Sequence, residues 1–126
     1  MTEARAPLVV SLADKLALFS DHWNPRIVGR YNGNEVRLAK LRGEFIWHSH
    51  AETDELFMVL KGRLTIEFRD GVRTLDPGEF LVVPKGVEHR PVAPEEVELL
   101  IMDREGEPNT GSEPVSGLTR ARLETL

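Results

Sequence analysis

Short runs of alternating apolar and polar residues fill the middle of the chain, from residue 26 to residue 103. A period of two is typical of β-strands, because successive side chains point to opposite faces of a sheet. Asn32-Gly33, Asp70-Gly71 and Asp76-Pro77-Gly78 separate the runs with residues that favour tight turns. The pattern predicts about nine short strands in an all-β sandwich or barrel. The predicted strands cover residues 26–31, 35–41, 44–50, 55–61, 64–68, 72–75, 80–83, 89–92 and 97–103.

One helical pattern precedes the strands, between Ser11 and Ser20. Ser11 is suited to cap the helix, Asp14 stands at the capping-box spacing, and Leu16 and Phe19 recur at helical intervals. A helix of this length is marginal by itself, so we expect it to dock on the strands.

Three segments follow from these patterns. Residues 1–25 form an N-terminal arm and short helix, residues 26–103 form the barrel, and residues 104–126 form an extended C-terminal tail. Glycines and prolines among polar neighbours in the tail indicate that it has no core of its own.

Composition excludes several classes of protein. The 126 residues are 40% hydrophobic and 29% charged, which is typical of one globular domain. A net charge of −5 without a Lys/Arg cluster argues against nucleic-acid binding. The sequence has no apolar run that could span a bilayer, no signal-peptide pattern and no cysteine. We therefore expect a cytoplasmic protein without membrane partners.

The candidate chemistry lies in the histidines. His48 and His50 are two residues apart, so on a strand they share one face, and the polar residues 51–54 predict a turn that lets Glu55 face inward as well. His89 follows a Pro-x-Gly turn and begins another strand. Three imidazoles and a carboxylate converging from two segments suit a divalent metal. The remaining histidine, His22, lies outside this group, and we expect it to be a surface or packing residue.

The chain resembles the cupin superfamily in two motifs, between about Tyr31 and Asp103. The first motif is formed here by Gly43, His48, His50, Glu55 and Gly62. The second is formed by Gly78, Pro84, Gly86 and His89. The sequence has one residue fewer than the family before His48, and Ala93 stands where the family has asparagine. The resemblance implies a jelly-roll, or double-stranded β-helix, barrel, with one metal ion per chain bound by His48, His50, Glu55 and His89.

Such a site is compatible with manganese, iron, nickel, cobalt or zinc. The barrel interior around it should be small and apolar, with Phe57 and Val59 on the inward face of Glu55 and with Ile46 beside His48. A pocket of this kind suits a small molecule.

The resemblance implies two classes of function. The first is a small-molecule metalloenzyme acting on a small oxygenated carbonyl compound, either dioxygenase-like or sugar-isomerase-like. The alternative is a metal-stabilised binding or sensing domain without catalysis. The sequence identifies no catalytic residue, although four charged residues lie near the ligands: Glu52, Asp54, Lys85 and Arg90.

We also expect a homodimer. The arm 8–10, Trp47 and the outer face of 56–60 are apolar and need cover, which the docked helix, a partner subunit or both could provide.

Overall fold

Antiparallel strands dominate the chain in a computed structural model, which describes residues 5–113, 117–120 and 122–126. Residues 1–4 of the predicted arm, and residues 114–116 and 121 of the predicted tail, lie outside the described part. The described residues form one helix and seven strands: α1 (Leu12–Leu16), β1 (Arg26–Tyr31), β2 (Asn34–Glu44), β3 (Glu55–Lys61), β4 (Leu64–Phe68), β5 (Gly71–Leu75), β6 (Phe80–Val83) and β7 (His89–Arg104).

The strand β7 organises the sheet, because it pairs with β2, β3 and β4. The path through the sheet runs β1-β2-β7-β3-β6, and the hairpin of β4 and β5 joins it through β4. This architecture confirms the predicted all-β jelly-roll barrel with a short N-terminal helix.

Turn residues form the first hairpin as predicted. Tyr31 pairs with Asn34, and Asn32 and Gly33 between them have φ angles of 49° and 76°. Positive φ at both central positions matches the right-handed twist of the flanking strands, which explains the Asn-Gly pair.

Two of the predicted strand boundaries are wrong. Residues 45–50 form no strand, because β2 ends at Glu44 and only His48 makes an isolated bridge beyond it. The predicted strands 89–92 and 97–103 form the single strand β7. The register between β2 and β7 shifts where Leu41 pairs with Val97 and Gly43 with Ala93, so the residues between Ala93 and Val97 form a bulge.

Both faces of β2 are covered, which the alternation of the sequence did not reveal. Val36 and Leu38 pack outside the barrel against the helix, whereas Arg37, Ala39 and Leu41 are buried toward the interior. Arg37 is therefore buried, although a charged residue that alternates with apolar ones usually indicates a solvent-exposed face. An alternating pattern separates the two faces, but the cover provided by other segments decides which face is buried.

The helix is shorter than predicted. Ser11 caps it as expected, its Oγ accepting a hydrogen bond from Asp14 N at 3.2 Å. The helix ends at Leu16, and the Phe19 carbonyl accepts a hydrogen bond from Lys40 Nζ at 2.7 Å, so a tertiary contact satisfies this backbone group. Leu16 and Phe19 are buried against β1 and β2, and Leu60 packs on the same cluster.

The described part of the C-terminal tail packs on its own barrel. Ile27 N donates to Glu124 O and Leu126 N donates to Ile27 O, both at 2.9 Å. Asn109 and Thr110 are buried. Within the described residues, no helix has both the length and the apolar character required to cross a membrane.

Candidate metal centre

His48 and His89 face each other across a short antiparallel bridge. His48 N donates to His89 O at 3.0 Å, and His89 N donates to His48 O at 2.9 Å. Directly opposed residues of an antiparallel pair project their side chains to the same side of the sheet. The two imidazole rings accordingly lie with centroids 4.3 Å apart.

His50 and Glu55 complete the cluster from the segment that follows. His50 shares the inward face of His48, residues 51–54 turn the chain, and Glu55 is the first residue of β3. Glu55 Oε1 lies 3.2 Å from His50 Nε2 and 3.2 Å from His89 Nε2.

The four side chains are buried, and one potential ligand atom from each lies within 4.8 Å of the others. A metal bound at about 2.1 Å from its ligands places opposite ligand atoms about 4.2 Å apart, so small adjustments would close this group on one ion. The predicted residues thus form a cluster that could hold a metal ion.

Backbone carbonyls orient two of the imidazoles. His48 Nδ1 donates to Ile46 O at 2.9 Å, and His89 Nδ1 donates to Val87 O at 3.0 Å. Because a carbonyl oxygen only accepts, each Nδ1 carries the hydrogen and the neutral ring presents its Nε2 lone pair to the cluster. Peptide carbonyls are among the usual outer partners of metal-binding histidines.

The chemistry of these donors fits a cation. With neutral His89, the Nε2 lone pair and the Glu55 carboxylate are both acceptors, only 3.2 Å apart. Such a contact is stable only when a proton or a metal ion lies between the two groups. The arrangement of nitrogen and oxygen donors is the type that binds divalent transition metals.

Burial and neighbouring charges shift the pKa values of His48, His50 and Glu55 in different directions from their ordinary values. Burial, with the neighbouring His89, lowers the pKa of His48 to about 4. Burial also acts to lower the pKa of His50, but contact with the Glu55 carboxylate and the charge of Glu107 outweigh it, and the net shift is upward. Burial acts to raise the pKa of Glu55, yet contacts with His50 and His89 hold it well below its ordinary value. Glu55 is therefore an ionised carboxylate at neutral pH.

A narrow, mostly apolar cavity opens on His48 and Glu55, with about 30 Å³ of space for water-sized molecules. Trp23 stacks on Phe45 with centroids 4.8 Å apart, and the Phe45 ring meets His48 edge-on at 5.1 Å. Phe57 lines the cavity as predicted. The apolar residue that lines the cavity beside His48 is Phe45, whereas the sequence analysis had placed Ile46 there. The remaining lining side chains are Pro25, Arg37, Leu41, Pro91, Leu99, Ile101, Asp103 and Asn109.

A buried ion-pair network borders this cavity. Arg37 Nη2 lies 2.6 Å from Glu35 Oε1, and Arg37 Nη1 lies 3.1 Å from Asp103 Oδ2. Burial and the adjacent charge of Glu55 raise the pKa of Asp103 well above its ordinary value. Sequence analysis missed this network. The only signal was three charged residues within predicted strands, Glu35 and Arg37 in one and Asp103 in another, a pattern that usually indicates a solvent-exposed face.

The other charged residues near the ligands in sequence lie outside the cavity. Asp54 Oδ1 accepts from Lys85 N at 2.8 Å, which ties two turns together, and Glu52 is exposed. Arg90 pairs with Glu67 at 2.8 Å.

The remaining histidine and the nearby tryptophan also lie away from the cluster. His22 Nε2 lies 2.7 Å from Glu96 Oε2, a surface contact. Trp47 is half-buried beneath the guanidinium of Arg69, at 3.8 Å from the ring centroid.

Comparison with known proteins places this geometry in a family. Residues 34–103 match the sequence profile described as "Cupin domain". A crystal structure of a cupin-2 domain protein from Shewanella frigidimarina is 47% identical, with a TM-score of 0.76 over 77% of this chain and 95% of that chain. The uncharacterized protein YdbB of Bacillus subtilis is 44% identical over 64 residues, which span 50% of this chain and 57% of YdbB.

A more distant relative carries a named activity. The hydroquinone 1,2-dioxygenase of Sphingomonas sp. TTNP3, crystallised with 4-hydroxybenzoate, has a TM-score of 0.65 over 84% of each chain at 15% identity. Identity this low shows the fold alone. The profile match across both histidine motifs and the Shewanella structure carry the assignment: the chain belongs to the cupin family.

Proposed function

We propose that the chain binds one divalent transition metal through His48, His50, Glu55 and His89. The observation that carries this proposal is the pair of lone-pair donors, His89 Nε2 and Glu55 Oε1, 3.2 Å apart in a buried site. Manganese, iron, nickel, cobalt and zinc all suit this donor set. When bound, such a metal can polarise a carbonyl or activate dioxygen.

We propose further that the site acts as a small-molecule metalloenzyme. Phe45, Phe57, Leu99 and Ile101 give the space beside the ligands a mostly apolar lining, in which charges interact more strongly than in water. The Arg37–Asp103 pair lines the same cavity, next to Glu55, and can orient a hydroxyl or carbonyl oxygen. The chemistry of the lining thus suits a small, mostly apolar compound that carries oxygen atoms, and the cavity must widen beyond its present space of about 30 Å³ to admit one.

Of the two reaction types, oxygenation suits this cavity better than isomerisation of a phosphorylated sugar. Among the described residues that line it, Arg37 is the cation, and Glu35 and Asp103 already neutralise its charge. A phosphate group would find no free positive charge there.

The alternative is a metal-stabilised binding or sensing domain. The supporting observation is that Glu52, Asp54, Lys85 and Arg90 all lie outside the cavity lining, so none of these four can transfer a proton to or from a substrate there.

The test is elemental analysis of untagged protein, purified without added metal, together with oxygen uptake on small diketones and hydroxy acids. We expect about one metal ion per chain, and a strong loss of metal in His89→Ala. His22→Ala is the matched control and should keep full metal content, because His22 lies away from the cluster and pairs with the surface residue Glu96.

Each outcome is decisive for one part of the proposal. Metal with substrate-dependent oxygen uptake supports an oxygenase. Metal with ligand-dependent thermal stabilisation and no turnover supports the binding domain. Equal metal content in wild type and His89→Ala would refute the ligand assignment.

We also propose that the protein is a homodimer and is cytoplasmic. Leu8 and Val9 are 91% and 97% exposed, and Phe80 and Val82 on β6 are 61% and 47% exposed. Among the described strands β6 pairs only with β3, so its other edge is available. Exposed apolar side chains next to an open edge favour burial against a second copy.

A further inference from the structure

His50 differs from the other two histidines of the cluster in its outer contact. His48 and His89 each donate Nδ1–H to a backbone carbonyl two residues earlier. Among the described residues, His50 Nδ1 has no hydrogen-bond partner although the side chain is buried. A histidine that binds a metal through Nε2 must carry its hydrogen on Nδ1, so this donor requires an acceptor.

The group that faces His50 Nδ1 is a carboxylate from the C-terminal tail. Glu107 Oε2 lies 3.9 Å away, and the Glu107 side chain is only 16% exposed. This gap is too long for a direct hydrogen bond, but it is short enough for a small side-chain rotation or a bridging water to close.

Two hydrogen bonds hold the tail in this position beside His50. Arg37 Nη2 donates to Glu107 O at 2.9 Å, and Ser112 N donates to Ser49 O at 2.9 Å. The second bond joins the tail to the residue directly before His50. Between them, Gly111 lies so close to Ser49 O that a Cβ there would be 2.1 Å away.

We propose that Glu107 is a positioning residue of the metal site, which accepts the Nδ1–H of His50 and so strengthens metal binding through that ring. The inference rests on the proposed metal binding and extends it to a segment beyond the cupin match, which ends at residue 103. The tail is then a functional part of the site, and detaching it would weaken metal binding.

The test compares Zn²⁺ affinities, measured by competition with a chromophoric chelator, for wild type, Glu107→Ala and Glu107→Gln. Loss of an outer partner costs a metal site about 10- to 100-fold in affinity. We expect a loss of that size in Glu107→Ala. Glu107→Gln should recover most of it, because the amide oxygen still accepts. Glu105→Ala, an exposed glutamate of the same segment, is the matched control and should match wild type.

A second comparison separates positioning from mere stability of the tail. In a His50→Ala background, Glu107→Ala should cause no further loss of Zn²⁺ affinity, because the ring through which it acts is gone. The thermal unfolding midpoint of the metal-free protein should be the same in Glu107→Gln and wild type.

The outcomes distinguish the two proposals. Equal Zn²⁺ affinity in wild type and Glu107→Ala would overturn the role of Glu107 and leave the metal site intact. Equal losses in the Ala and Gln variants, with a lowered midpoint in both, would reduce Glu107 to a structural residue. Failure of the wild type to bind Zn²⁺ would overturn both proposals.

Discussion

At the scale of single residues, the orientation of each imidazole has a different origin. His48 and His89 are oriented by carbonyls only two positions earlier, Ile46 O and Val87 O. His50 instead faces Glu107, which is distant in sequence and comes from another part of the fold. The three rings therefore differ in how far their geometry depends on the rest of the molecule.

The pKa shifts set the pH dependence of metal binding. Only a neutral imidazole can coordinate, so protons compete with the metal. The pKa of His50 is raised, so His50 takes up a proton at a higher pH than His48, whose pKa is about 4. We expect Zn²⁺ affinity to fall with decreasing pH, by about tenfold per pH unit below the pKa of His50. Chelator competition between pH 8 and pH 5.5 measures this.

The direction of proton exchange provides the control. Binding of Zn²⁺ should release protons into a weakly buffered solution, and the release should grow as the pH falls, because the raised pKa of His50 leaves more of this imidazole protonated before the metal binds. An affinity that stays constant from pH 8 to pH 5.5 would contradict histidine ligation.

At the scale of elements, the long strand β7 connects the histidine and glutamate cluster to the buried ion pair. It carries His89 at its first residue and Asp103 near its end, and the bulge after Ala93 lets both ends take part in one barrel. The tail that follows β7 then returns to the cluster. The last strand and the tail thus form one continuous element that borders the site.

Gly111 is the point where the tail approaches the cluster most closely. Its φ is +59°, in the left-handed region that favours glycine, and a Cβ would collide with Ser49 O at 2.1 Å. Gly111→Ala should therefore displace the tail. We expect a loss of about 1–3 kcal/mol in the free energy of unfolding. Zn²⁺ affinity should also fall, because Glu107 moves away from His50. Chemical denaturation and chelator competition measure the two effects.

Gly117→Ala is the matched control for this substitution. Gly117 lies in the same tail, and a Cβ at that position meets nothing within 4 Å. The control should leave both stability and affinity close to wild type. If Gly111→Ala and Gly117→Ala have the same stability and the same Zn²⁺ affinity, the tail does not pack closely against Ser49 and His50 in solution.

At the scale of the whole molecule, the described residues form two separate hydrophobic clusters. One fills the barrel between its strands, and the other joins the helix to the outer face of β1 and β2. The helix covers Leu60, which removes part of the apolar outer face that we expected a partner to bury. The arm and β6 remain exposed.

The oligomeric state follows from that exposed surface. We expect a mass near twice the 14.2 kDa of one chain by light scattering. Val9→Asp should shift the protein toward the monomer, because a charge on the arm cannot be buried at low cost. A wild-type mass close to that of a single chain would contradict the homodimer.

The sequence by itself determined the strands that lie between strong turns, the cap of the helix and the four residues of the cluster. These features depend on local periodicity, turn chemistry and motif spacing, which neighbouring residues encode. The sequence did not predict that the last two strands merge into β7. Pro94 and the two glutamates that follow it indicated a turn, but they form a bulge within one continuous strand.

Only the tertiary structure decided which face of β2 is interior and what contacts the cluster from outside. Arg37 is buried because the helix covers the opposite face and Glu35 and Asp103 compensate its charge. The Glu107 carboxylate lies 3.9 Å from His50 Nδ1 because the tail folds back across the barrel. Alternation fixes which side chains share a face, whereas burial and distant contacts depend on segments far away in the chain, so local patterns could not predict them.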